Sequence, residues 1–448
     1  MDASPSSPAA GDELELDVTA VAHGGVFVGR LGPDLDDSGR GGRVVFVPDA
    51  IPGERVRIRL TDVAKKSFWR GEVLEVLDAS PHRQQHIWRQ ADVTVPPHLR
   101  PGGADFGHIG LSHQRLLKLD VLTDALKRFG GVDLPVEVPA PAQDFHATGG
   151  VVDAETPDGT GWRTRVSLHV DADGRVGPFA ARSHTVVPVD DLPLATAGVQ
   201  TAALRLARGR PGRIDLVQPA DGRVRVLPRA DAAKAGPREA REAVVERVGS
   251  REFRVDAGGF WQVHRLAAVT LDAALRAAIR DVGSGRPRLD DAVLDPDAWH
   301  LDLYGGVGLF AAALAELGGA RVTSVESDPR ATEHAGQNLA EWVGARAETA
   351  RVDRFVARLA TDASARDRDR LARGVIVLDP PRSGAGREVV EAVAALGPSA
   401  VVYVACDPVA LARDVATFRA EGYDLRRVSA FDLFPNSHHI EAVATFVR

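Results

Sequence analysis

Several residue types are scarce, and each scarcity narrows the possibilities. One cysteine, Cys406, occurs in 448 residues, so no internal disulfide can form, which suits a reducing compartment. Nowhere do 18 apolar residues run together, and no membrane-spanning helix is expected. No basic-then-apolar segment opens the sequence. MDASPSSPAAGDE is small and polar, residues 1–12 read as a frayed tail, and a cytoplasmic location is expected. Only five of the 55 basic residues are lysine, which reads as codon bias before function. A net charge of −7 argues against a wholly basic nucleic-acid binder but is silent about local patches. What is present, 44% hydrophobic and 26% charged residues, is the composition of a globular protein. The length fits two to four domains.

Residues 13–78 carry short alternating segments, LELDVTAVA, GRVVFVPDA, ERVRIRLTDV and GEVLEVLD, separated by GG, PDLDDSGRGG and IPGE turns. Such spacing predicts a small, OB-like β-barrel. Arg43, Arg55, Arg57, Arg59, Lys65, Lys66 and Arg70, with Phe68 and Trp69 among them, suit RNA backbone neutralisation and base stacking. Five histidines (His82, His86, His98, His108, His113) follow in a loop-rich stretch, but without thiolates or two pairs of close-spaced ligands no metal site is expected. A helix is predicted over HQRLLKLDVLTDALKRFG. Residues 79–255 read as a central α+β region, with strands in TRVSLHVDADGRVGPFA and GRVRVLP, a helix in QTAALRLARG, and a closing strand in REFRVDAGGFWQV. From 256 to 448 strand, glycine turn and helix alternate, which is βαβ logic and predicts a doubly wound, Rossmann-like α/β domain with a parallel, helix-covered sheet.

In LDLYGGVGLFAAALAEL, glycines 305, 306 and 308 lie between an apolar strand and a helix, where backbone and ligand approach closely. About twenty residues on, RVTSVES ends a second strand at Glu326, a carboxylate placed to accept from ribose hydroxyls. Gly306-x-Gly308-x-x-Ala311 also satisfies a loose dinucleotide fingerprint, so an NAD(P)-dependent oxidoreductase competes at this point. Asp302, inside the end of the first strand, would repel a pyrophosphate and favours a cationic cofactor such as S-adenosylmethionine. GVIVLDPPRSGAG then ends a buried strand in Asp379-Pro380-Pro381-Arg382, on the carboxyl edge where open α/β sheets bind ligands.

Cys406 ends the next strand, AVVYVA, and Pro408 opens a helix. The helix N-terminus is expected to lower the thiol pKa, with Asp407 opposing if its carboxylate faces the sulfur. FDLFPNSHHIEAVATFV places Glu441 just after His438 and His439. A thiol and a carboxylate on one sheet edge are what covalent methylation of uracil needs. C5 becomes nucleophilic once a thiolate adds to C6, and a base must then remove the C5 proton.

Together these residues resemble the uracil-5 RNA methyltransferase family, bacterial enzymes that make 5-methyluridine in transfer RNA or large-subunit ribosomal RNA. GRVVFVPDAIPGERVRIRL resembles a TRAM domain. FWQVH resembles F-x-Q-V-N, implying that Gln262 contacts the cofactor. LDLYGGVGLF resembles D-L-F-C-G-x-G-N-F, implying that Tyr304 stands beside the adenosine and Gly306 in the cofactor turn, with Glu326 from VES. LDPPRSG resembles D-P-P-R-x-G, implying that Asp379 lines the cofactor and substrate cavity. VYVACDPVALARD and LFPNSHHIE resemble Y-V-S-C-N-P-x-T-L-A-R-D and F-P-x-T-x-H-V-E, implying Cys406 as nucleophile and Glu441 as base. Many relatives hold a four-iron, four-sulfur cluster on cysteines near GGADFGHIGLSHQ; this sequence has none there, and no cluster is expected. Asp407 and Leu309 each stand where the family has Asn, and the acidic position after the third strand falls near Arg351 or Asp353. The resemblance implies S-adenosylmethionine as methyl donor, a uridine of structured rRNA or tRNA as target, and a monomer. A catalytically silent RNA-binding protein is the remaining alternative.

Overall fold

The computed structural model describes residues 8–31, 42–136, 138, 144–148, 151–153, 155–230, 238–283 and 293–448. The first residues of the expected tail, most of the PDLDDSGRGG turn and much of the polar insertion near 280–299 therefore lie outside the described residues. The part of the tail that is described is tied down: the Gly11 N–H donates to the Leu60 carbonyl and the Leu60 N–H to the Asp12 carbonyl.

Alternation of apolar and polar residues in β1 (Glu13–Ala22), β2 (Val26–Arg30), β3 (Val44–Val47), β4 (Arg55–Asp62) and β5 (Phe68–Asp78) closes a barrel in the order β1-β2-β3-β5-β4. Its inward residues, among them Phe27, Val45, Val56, Ile58 and Val73, are fully buried. Because side chains alternate on a strand, Arg55, Arg57 and Arg59 point outward together. There they meet carboxylates: Arg55 pairs with Glu15, Arg57 with Glu75 at 2.6 Å, and Arg59 with Glu13 at 2.9 Å. The expected basic face is thus half neutralised. At one end Lys65 lies 4.8 Å over the Phe68 ring, Arg70 5.8 Å over the same ring and Arg43 4.9 Å over Trp69. Trp69 is buried and is not a stacking platform.

The chain continues through α1 (Leu111–Phe129), β6 (Asp144–Thr148), β7 (Val151–Asp153), β8 (Arg165–Val170), β9 (Val176–Gly177), α2 (Ala197–Leu204), β10 (Gly212–Val217), β11 (Arg225–Ala230), β12 (Ala243–Val248) and β13 (Arg251–Asp256). Strands β11-β10-β8-β9 form an antiparallel sheet and β12-β13 a separate hairpin. α2 begins earlier than the apolar pattern predicts because the Thr196 side chain caps it, accepting from the Val199 N–H. The strand predicted through 263 stops at Asp256, where Gly259 turns the chain and donates to the Asp256 carbonyl. Packing also crosses the boundaries expected for the central region. Leu122, Ala125 and Leu126 of α1 share a core with the C-terminal sheet, and Val244, Val255 and Phe253 of the hairpin share one with that sheet's other face.

The C-terminal unit runs α3 (Ala267–Gly283), β14 (His300–Leu303), α4 (Leu309–Glu316), β15 (Val322–Glu326), α5 (Pro329–Asn338), β16 (Ala345–Thr349), α6 (Val352–Asp362), α7 (Ala365–Arg373), β17 (Val375–Leu378), α8 (Arg387–Leu396), β18 (Ala400–Ala405), α9 (Pro408–Ala420), β19 (Asp424–Phe431) and β20 (Glu441–Val447). Its sheet order is β16-β15-β14-β17-β18-β20-β19. β14 to β18 are parallel; β14, β17 and β18 are buried on both faces, as the apolar runs of β17 and β18 predict, β15 is buried up to Glu326, and the edge strand β16 is partly exposed. The sheet is not wholly parallel, however: β20 inserts between β18 and β19 antiparallel to both. The short connection Asp432–Ile440 from β19 allows only a reversal, because a parallel return needs a crossover of a dozen or more residues. That reversal brings the first residue of β20 to the edge where the parallel strands end.

Candidate active site

Four strand ends meet on this edge. β18 pairs with β20 through Ala405↔Ala442, and extending the register by one residue sets Cys406 opposite Glu441. Asp379 follows β17, next in the sheet, and its N–H donates to the Leu303 carbonyl of β14. The sequence places all three at strand ends, and the fold brings them together.

Cys406 is half-buried and Glu441 is 5% exposed. Burial pushes the Glu441 carboxyl well above the usual range; Asp379 adds to this and Arg382 opposes it. Burial, then Glu441, pushes the Cys406 thiol up to about 12, with Arg382 again opposing. The expectation of a lowered thiol pKa is therefore overturned: negative neighbours and enclosure outweigh the helix terminus. Asp407 is not spent on the sulfur. Its Oδ1 accepts from the Ala410 N–H at 2.8 Å as the cap of α9, and its Oδ2 lies 2.8 Å from His23 Nε2. This second contact ties the barrel to the loop that carries Cys406. It comes from the β1–β2 hairpin turn His23-Gly24-Gly25, whose glycines have φ of +86° and +70°. A Cβ on Gly25 would stand 2.7 Å from the His438 ring, so only glycine lets the hairpin tip sit so close.

Ala22, His23, Phe106, Lys118, Arg382 and Cys406 line a cavity of about 100 Å³ at this junction, with His438 and His439 on its wall. His438 Nδ1 lies 2.6 Å from Asp105 Oδ2, and Arg382 donates to His439 Nε2 at 3.2 Å. Burial holds the His439 ring at about 3, so it accepts as neutral imidazole. Lys118 of α1 is fully enclosed and donates to Asp432 Oδ1 at 2.5 Å and the Phe434 carbonyl at 3.0 Å, fixing the loop before Glu441.

The glycine turn borders a second cleft. Tyr304 has a left-handed φ of 64°, Gly306 of 53° and Gly308 of 91°. A Cβ at Gly305 would collide with Ser324 Oγ at 2.0 Å, whereas one at Gly306 meets nothing within 4 Å. The backbone is thus packed on one side and open on the other. Glu326 Oε2 accepts from the Gly306 N–H at 3.2 Å and keeps a further lone pair, while Oε1 accepts from Ser327 and Asp328. Asp302 is buried: its Oδ2 accepts from the Ala311 N–H at 3.0 Å and from Ser324 Oγ at 3.1 Å, and its Oδ1 has no partner. Burial raises it to about 7, and burial with Asp302 raises Asp379 to about 7. Tyr304, Arg351, Asp353 and Pro381 line an adjoining cavity of about 670 Å³. Arg351 donates to Asp353 at 2.8 Å, which holds that carboxyl near 2. An open backbone turn and a strand-end carboxylate fit a nucleoside, beside a cavity lined by both signs of charge, Arg351 and Arg387 with Asp353 and Glu388. Gln262 is half-buried beside Trp261, which shares a core with Val307 of the turn. Leu309 packs into that same core.

Two supports escaped the sequence reading. The Asp414 carboxylate on α9 accepts from the Tyr403 hydroxyl at 2.6 Å and from the Ala385 N–H at 2.8 Å, pinning the loop after Asp379. Its signal was an acid on the apolar face of a helix. Asn338 donates to the Val307 carbonyl at 2.9 Å and holds the glycine turn on β13. Of the five loop histidines, His82 and His113 stack at 3.9 Å, and among the described residues no group of three or more potential ligands is arranged to hold a metal ion. No helix among them is long and apolar enough to cross a membrane.

Residues 291–448 match the family described as tRNA (uracil-5-)-methyltransferase, and residues 10–74 match the TRAM domain. A protein of Streptomyces avermitilis named as an RNA methyltransferase is 37% identical over 97% of this chain and 98% of its own length. The 23S rRNA (uracil(1939)-C(5))-methyltransferase RlmD of Shewanella denitrificans is 27% identical over 97% of this chain and 96% of its own. The structure of Pyrococcus abyssi tRNA (uracil-54, C5)-methyltransferase in complex with S-adenosyl-L-homocysteine superposes with a TM-score of 0.66, covering 96% of this chain and 99% of that one at 20% identity.

Proposed function

The chain belongs to the uracil-5 RNA methyltransferase family, and from that premise we propose that it methylates C5 of a uridine in structured rRNA or tRNA through a covalent bond between Cys406 and C6. The observation that carries this reading is the register of β18 on β20, which sets a thiol opposite a buried carboxyl beside a nucleoside-shaped cleft.

Gly306, Glu326, Asp379, Tyr304 and Gln262 would hold S-adenosylmethionine, which when bound supplies an electrophilic methyl group. The Cys406 thiolate adds to C6 of a flipped-out uracil, and the electron pair moves toward C5 and the C4 oxygen. C5 then takes the methyl group. Glu441 removes the C5 proton, the C5–C6 double bond re-forms, and the sulfur leaves with its electron pair. Arg382, the cation on the same wall, offsets the negative charge that gathers there. A carboxyl raised by burial is a stronger base once ionised, which suits Glu441 to an acidic C–H. The dinucleotide alternative gains nothing from the comparisons, in which the matched family and the relatives of full length are RNA methyltransferases.

Release of tritium from RNA made with 5-tritiated uridine tests the proposal. Wild-type protein should release it only with S-adenosylmethionine, Cys406→Ala not at all, and Glu441→Gln should instead accumulate a protein–RNA adduct. Release by Cys406→Ala would remove the nucleophile, and normal turnover by Glu441→Gln would assign the base elsewhere.

A further inference from the structure

A larger cleft of about 440 Å³ opens beside the Cys406 cavity, and the two share Gly24 and His438 on their walls. Three features of its lining are unused by the proposed chemistry. His169 at the end of β8 and Phe179 stack ring on ring, 3.5 Å apart and 11° from parallel. Both line the cleft and both are only half-buried. Arg163 also lines it, spending its Nε on the Arg165 carbonyl. Among the described residues no carboxylate lies within ion-pair distance of Arg163. Its charged neighbour is another cation, Arg382, on the wall of the Cys406 cavity. Arg163 and Arg382 are like charges across the junction, Arg382 being partly offset by Glu441 and Arg163 having no carboxylate at ion-pair distance, so an anion between the two guanidinium groups would relieve their repulsion. Arg182 donates to the Gly25 carbonyl at 3.2 Å and so closes the cleft against the barrel hairpin.

Resting on the methyltransferase reading, we propose that this cleft holds an unpaired nucleotide adjacent to the target uridine on the same RNA strand. Its base extends the His169–Phe179 stack, and its phosphate lies between Arg163 and Arg382. An apolar wall, a two-ring stack and an arginine pair match the means by which proteins hold splayed single-stranded RNA bases. The shared walls match what a nucleotide contiguous with the one over Cys406 requires. On this assignment the barrel hairpin, through Gly24, is the divider between two base sites.

The full chain is tested with a decamer of uridines carrying one 2-aminopurine next to its central uridine, whose fluorescence falls when the base stacks. Wild-type protein should quench it on binding. Phe179→Ala should abolish the quench and weaken binding about 5- to 100-fold, the range for loss of one stacked base. Arg163→Gln, which leaves the stack intact, should reduce the slope of log affinity against log salt by about 0.7, the share of one phosphate on a single strand. Unchanged quench and affinity in Phe179→Ala, or an unchanged salt slope in Arg163→Gln, would overturn the site. Tritium release measured on the same protein separates the two readings. Quench without release removes the proposed chemistry and leaves the base site standing; release without quench removes the base site alone.

Discussion

At the scale of single residues, the site rests on a thiol that its surroundings keep protonated. With burial and Glu441 pushing Cys406 up to about 12, its alkylation by iodoacetamide should rise about tenfold per pH unit from pH 7 to 9.5 without levelling, since only the thiolate reacts. A plateau near pH 8 would contradict this. Replacing Glu441 by Gln removes the charge that opposes the thiolate, so alkylation of that variant at pH 8 should be several-fold faster than wild type. Cys406 and Glu441 were legible in the sequence because each stands at a strand end beside a helix or loop. The sign of the thiol shift was not, because it depends first on burial and then on Glu441, which enclose the sulfur only after the sheet has formed. The same holds for His23, whose pairing with Asp407 raises its pKa across hundreds of intervening residues.

Among the elements, α9 does more than present a thiol at its start. Asp414, two turns in, gathers the Tyr403 hydroxyl and the N–H groups of Ala385 and Gly386. Asp414→Ala would leave the Tyr403 hydroxyl and the Gly386 N–H without their acceptor and the Ala385 N–H with the Tyr403 oxygen alone. We expect urea unfolding to show a loss of about 2 kcal/mol or more and S-adenosylhomocysteine to bind about tenfold more weakly. Tyr403→Phe, which removes one hydroxyl and the bond Ala385 donates to it but leaves both N–H bonds to Asp414, should cost about 1 kcal/mol. Equal losses for the two would show that the ring, not the carboxylate, holds the loop. Periodicity read most elements correctly, since a buried parallel strand and a capped helix each carry a local signal. It missed the direction of β20, because alternation and apolar runs look the same in either orientation and only connection length distinguishes them.

Over the whole molecule, charge is distributed differently from the way it is written along the chain. Arg55, Arg57 and Arg59, three of the seven basic residues singled out in the barrel, are matched by Glu13, Glu15, Glu72 and Glu75. The cluster that suggested an RNA face was therefore only partly informative, since cross-strand partners lie 13 to 46 residues away. Arg57→Ala should leave the salt dependence of RNA binding almost unchanged, whereas Lys66→Ala or Arg70→Ala should lower its slope by about 0.7 to 0.9. A larger change for Arg57→Ala would place RNA on the ion-paired face. The insertion of β20 between β18 and β19 bears on synthesis as well. Of the seven strands it is made last, yet it fills an inner place and carries the acid opposite the sulfur. A nascent chain that has released everything through β19 holds its thiol next to an unfilled slot, and so lacks the carboxyl proposed above as its proton acceptor.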